Sequence, residues 1–125
     1  MEYNNGINVN KNSTIGEVKI ADEVITRIAA IAATDTKGVA KLYGNITNDL
    51  VSKLGFQKLS KGVKTHINED GAVVADLTLE LCYGVSIKKV SAKVQDKVKT
   101  SIENMTGLEV AEVNIRIAGV AMEEE

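Results

Sequence analysis

The most constraining feature of the chain is a change of hydrophobic period at Gly107. Upstream, Ile87, Val90, Val94, Val98, Ile102 and Met105 fall within an arc of roughly 120° when wound at about 100° per residue. Lys88, Lys89, Lys93, Gln95, Asp96, Lys99 and Glu103 lie off that arc, and Lys97 sits at its edge. Downstream, Val113, Ile115 and Ile117 alternate with Asn114, Arg116 and Ala118, the period of a half-buried strand. A one-sided helix followed by a one-sided strand must bury a shared apolar layer, so the chain has to build helix over sheet. Ser86 is placed to cap the helix, its hydroxyl accepting an N–H of the first turn. Gly107 is placed to stop it, because glycine tolerates the left-handed conformation that closes a helix.

The remaining chain supplies the rest of both layers. Gly16–Ile20 reads as a short strand, with Val18 and Ile20 on one face. Asp22 then caps a helix running to about Asp35, and an acid at that end also suits the positive pole of the helix. Val24, Ile25, Ile28, Ala29, Ile31 and Ala32 make this helix apolar over a wide arc, and Lys37-Gly38 stops it. Val39–Tyr43 is extended, Asn45–Gly55 holds a short helix, and Gly62–Ile67 is a strand. Asp70-Gly71 is a hairpin signal leading into the clearest strand, where Val73, Ala75, Leu77, Leu79, Leu81 and Tyr83 alternate with Val74, Asp76, Thr78, Glu80 and Cys82. The expected order is β-α-β-(short α)-β-β-α-β, an α+β two-layer α/β sandwich with two main helices on a mixed or antiparallel sheet. Residues 1–13 read as a disordered N-terminal tail, 14–120 as one domain and 121–125 as an acidic C-terminal tail.

Three blocks of this chain carry a resemblance. The first is Tyr83-Gly84-Val85, then Val94-Gln95 and Lys97-Val98, then Glu103–Val110 and Glu112–Asn114. The second is Gly16–Ile25 and the third Leu59–Lys64. In order and spacing they resemble the alkaline-shock-protein family of Gram-positive bacteria, also called general-stress or envelope-stress proteins, over about residues 15–120. The resemblance implies a small α/β sandwich and a cytoplasmic protein of cell-envelope stress homeostasis. It also implies a self-associating protein held at the inner membrane face through a membrane-anchored partner. Some relatives are connected with regulation of fatty-acid synthesis, so a metabolic partner is the other branch. The chain departs from the family at Leu42–Thr47, where relatives tend to be glycine-rich.

Read as chemistry, the residues nominate no catalytic, cofactor-binding or metal-binding group. His66 is the single histidine and supplies at most one ligand. Cys82 is the single cysteine; it has no internal disulfide partner, and no base is placed by the sequence to activate it. Asp76 and Glu80 share a strand face but stand about 13 Å apart, too far to share a proton. Glu103 is a third acid and reads as solvated. No phosphate loop is present. A regulatory nucleic-acid-binding module is the alternative class. The net charge of −2 and the lack of any G-x-x-G loop count against it.

The charge is unevenly laid out. Residues 51–100 carry nine lysines against five acids, and residues 101–125 one arginine against six glutamates. Such a split attracts one copy to another. It nominates Lys88, Lys89, Lys93, Lys97 and Lys99 as an interaction surface for an acidic partner, the Glu123–Glu125 end of another copy included. The apolar stripe of the same helix belongs to the core, so direct membrane insertion is not expected. The expectation is a non-enzymatic homo-oligomer without cofactors that docks on a partner.

Overall fold

The computed structural model describes the backbone of residues 11–122 and the side chains of residues 22–122. In chain order the elements are α1 (Lys11–Thr34), β1 (Val39–Leu42), α2 (Asn48–Val51), α3 (Phe56–Leu59), β2 (Val63–Ile67), β3 (Val73–Cys82), α4 (Ile87–Thr106) and β4 (Val110–Ala121). They form an α+β two-layer sandwich, with α1 and α4 on one face of a mixed four-stranded sheet.

β3 organises that sheet. β4 runs parallel to it along Val73–Cys82. β2 pairs antiparallel with Val73–Leu77, and β1 antiparallel with Leu79–Leu81. A strand has two edges, so β1 and β2 share one edge of β3 end to end. The handover falls at Thr78, whose N–H donates to the Gly62 carbonyl (2.9 Å) and whose carbonyl accepts from Tyr43 N–H (2.9 Å). The β2–β3 hairpin turns where Asp70-Gly71 predicts it. Gly71 has φ +85°, and the Asn68 side chain accepts from the N–H groups of Asp70 (2.9 Å) and Ala72 (3.0 Å).

The core lies between the layers. Val73, Ala75, Leu77, Leu79 and Leu81 of β3 pack under Ile25, Ala29, Ala32 and Ala33 of α1 and under Val90, Val94, Val98 and Ile102 of α4. Each fully buried Val, Leu or Ile contributes about 1.5–3 kcal/mol relative to exposure. Exposed ion pairs contribute about 1 kcal/mol or less, so burial decides how α4 docks. The α4 caps form as the sequence predicts. Ser86 Oγ accepts Lys89 N–H at 3.3 Å, and Gly107 is left-handed at φ +76°. Alanines of α1 face α4, and Gly38, in the turn after α1, packs closely on α4. A Cβ there would lie 2.7 Å from Val90 Cγ2, at a backbone φ of +101°.

The structure corrects several expectations. Gly16–Ile20 is not a strand but part of α1, which begins at Lys11 and not at Asp22. A five-residue window with two apolar positions cannot separate period 2 from period 3.6, and Ile15, Val18 and Ile25 continue a helical spacing. The expected tail at 1–13 falls outside the described residues up to 10, and Lys11–Ser13 are helical. At the other end Ala121 still pairs in β4, and 123–125 lie outside the described residues. The ends of two apolar stripes emerge into solvent: Ile87 and Met105 of α4, and Tyr83 after β3, are exposed. The short helix expected within 45–55 is present as α2, and a second one, α3, follows Gly55 where none was expected.

Candidate interaction surface

The five nominated lysines all stand on α4, and the core stripe of that helix divides them into two flanks. Lys89, Lys93 and Lys97 recur every fourth residue along one flank. There Lys93 and Lys97 line a groove of about 500 Å³ with Asp35, Thr36 and Lys37 from the end of α1, and with Asp96. Lys97 Nζ pairs with Asp35 Oδ2 at 2.7 Å, tying the two helices together. Lys88 and Lys99 fall on the opposite flank by helical spacing, and Lys99 stands beside β4. Lys99 lines a second groove there with Ala92, Gln95 and Glu112 and reaches Glu103 Oε2 at 3.8 Å. Lys88, Lys89 and Lys93 are exposed and form no ion pair among the described residues. The structure brings Lys93 and Lys97 into one groove and sets Lys99 in another, and helical spacing places Lys89 with the first pair and Lys88 with Lys99.

The acids singled out by the sequence are held by neighbours. Asp76 Oδ1 accepts from Asn114 Nδ2 at 2.8 Å across the β3–β4 ladder. Glu80 faces Lys41 Nζ at 3.9 Å across the β3–β1 ladder. Glu103 is not simply solvated: its Oε2 accepts Val110 N–H at 3.0 Å and so ties the end of α4 to the start of β4. His66 is exposed on β2, opposite Val74. Cys82 is half-buried at the end of β3. Among the described residues, no three His, Cys, Asp or Glu side chains are grouped to hold a metal ion.

The sheet face away from the helices is a polar array. A shallow depression on it is lined by Tyr43, Lys61, Lys64, Asp76, Asn114 and Arg116, among others. Two features are not evident from the sequence. The first is Arg27, whose Nη1 donates to the carbonyls of Val51 (2.8 Å) and Leu54 (3.0 Å) and anchors the α2 segment on α1. Its position among apolar residues of an otherwise one-sided helix is the signal that marks it. The second is the outer edge of β4, which no strand pairs with among the described residues. Periodicity identifies strands but not which of them lies outermost, so no sequence signal marks this one.

No helix of the described residues is long and apolar enough to cross a membrane. A model of the alkaline shock protein 23 family, described as having a cell envelope-related function, matches residues 10–122. The uncharacterized protein YqhY of Bacillus subtilis is 42% identical over 106 residues, covering 85% of this chain and 78% of the relative. The uncharacterized protein Spy1535 of Streptococcus pyogenes is 36% identical over 109 residues, covering 87% and 82%. A stress response regulator gls24 homolog of Streptococcus pyogenes is 23% identical over 111 residues, covering 88% of this chain and 62% of the relative. No solved structure matches the chain.

Proposed function

The chain belongs to the alkaline shock protein 23 family, with its cell envelope-related function, and from that premise we propose that it is a non-enzymatic structural protein of envelope stress homeostasis. It works in the cytoplasm by self-association and by docking on a membrane-anchored or metabolic partner. The observation that carries this reading is the state of α4. Its apolar stripe is spent on the core, while Lys89 and Lys93, one turn apart on the same flank, stay exposed and lack an acidic partner among the described residues. Exposed cations grouped on a rigid helix attract an acidic surface at distances up to about a Debye length, about 8 Å at physiological salt. The stress-regulator name of one relative agrees with the stress half of the reading.

The test is the charge-reversed variant Lys89→Glu/Lys93→Glu/Lys97→Glu of the full chain. Light scattering across a range of salt should show the wild type falling in mass as salt rises. The variant should fall below the wild-type mass at low salt, with a flattened salt response. Unchanged mass and an unchanged salt response would overturn the reading. Wild-type protein should also co-sediment with gently isolated membranes after nuclease treatment, and release by nuclease would favour a nucleic-acid-binding role.

A further inference from the structure

The hydrogen bonds of β3 fix which backbone groups of β4 face outward. Val73 N–H donates to Glu109 O at 2.8 Å and Tyr83 N–H to Ala121 O at 3.1 Å, so the odd-numbered residues of β3 direct their backbone groups toward β4. Their parallel partners are Val113, Ile115 and Ile117, and in a parallel ladder those partners direct their own N–H and C=O groups away. α4 occupies part of this outer edge: Gln95 Nε2 donates to Val113 O at 2.9 Å, and Glu103 accepts from Val110 N–H. Beside Ile115 and Ile117 there is no strand among the described residues. An open edge of this length is a template for pairing with another chain.

The side chains on the uncovered face select the partner. Glu112, Asn114 and Arg116 are exposed there in an i, i+2, i+4 row. Arg116 has no acidic partner within ion-pair distance among the described residues. Among the described residues the Glu112 carboxylate accepts one hydrogen bond, from Asn114 Nδ2 at 3.3 Å, and forms no ion pair. The row is self-complementary when it meets its own reverse. We propose that β4 pairs antiparallel with β4 of a second copy, about a two-fold axis through Asn114, a proposal that rests on the reading that the protein self-associates.

In that register Glu112 stands opposite Arg116 of the other copy, and symmetry makes the contact twice. Val113 and Ile115 form the hydrogen-bonded pairs, with Ile115 N–H of the other copy taking over the Val113 carbonyl that Gln95 holds in the single chain, and Asn114 meets its own counterpart in a non-hydrogen-bonded pair with Cα atoms about 4.5 Å apart. Moving the axis to Ile115 sets Arg116 against asparagine. Moving it to Arg116 sets arginine against arginine, which is unfavourable for directly opposed strand positions. Charge thus distinguishes one register from its neighbours. The two sheets then join into one.

The test uses the full chain and sedimentation equilibrium of Glu112→Arg, Arg116→Glu, and the double reversal. Each single reversal opposes like charges twice and should weaken dimerisation about tenfold. The double reversal should restore it, and so should mixing the two single variants. Asn114→Cys in a Cys82→Ala background should oxidise to a linked dimer, whereas Arg116→Cys in the same background should not. Single reversals without effect, or a double reversal that fails to recover, would overturn the edge assignment while leaving self-association standing. A wild type that is monomeric at every concentration and salt would overturn both. All of the reversed positions are exposed, and unchanged thermal unfolding shows that the fold is intact.

Discussion

Arg27 sits half-buried on α1, where a lysine or an alkyl chain of similar length would satisfy the periodicity equally well. Its guanidinium takes up two carbonyls at the ends of short turns, those of Val51 and Leu54, that no helix of four residues can satisfy by itself. Replacing it with methionine keeps most of the volume and strands both acceptors. Arg27→Met should therefore cost about 1–3 kcal/mol, read as a lower urea midpoint with an unchanged slope. Sequence alone reveals that residue 27 is charged in an apolar neighbourhood. It does not reveal the partners, because they lie 24 and 27 residues away in a segment without a strong period of its own. Gly38 is the opposite case. Its role as a stop is legible locally, and the packing against Val90 adds a second reason for the same residue.

For α4, periodicity predicts six core positions and the fold buries four. Val90, Val94, Val98 and Ile102 are buried, while Ile87 is 49% and Met105 72% exposed. Ile87 and Met105 stand at the two ends of the helix, and a stripe drawn on a helix carries no information about how much of it its partner covers. Ile102→Ala should cost about 2–5 kcal/mol by opening a cavity. Met105→Ala should cost less than about 0.5 kcal/mol. Comparable losses from the two would contradict the burial pattern, and chemical denaturation of both variants decides it. The charged positions show the same limit. All five lysines lie outside the core stripe, as the spacing predicts. What lies beside each flank, the end of α1 on one side and β4 on the other, is not encoded in the α4 sequence.

For the whole molecule, the alternation of Val73–Leu81 and the Asp70-Gly71 turn make β3 and its hairpin legible, and the caps at Ser86 and Gly107 make α4 and the entry to β4 legible. The parallel pairing of β4 with β3 and the sharing of one β3 edge by β1 and β2 are not, because alternation names a strand's faces and not its neighbours. All three ladders include β3; among the described residues no two other strands pair with each other. This hub has a consequence for how the protein opens. β1, β2 or β4 can detach singly, yet loss of β3 removes the whole sheet. Amide protons of β3 should accordingly exchange with solvent only through complete unfolding, at rates that track the denaturant dependence of global stability. The outward amides of Ile115 and Ile117 should exchange orders of magnitude faster in dilute protein, and slow sharply as concentration rises and the edges meet.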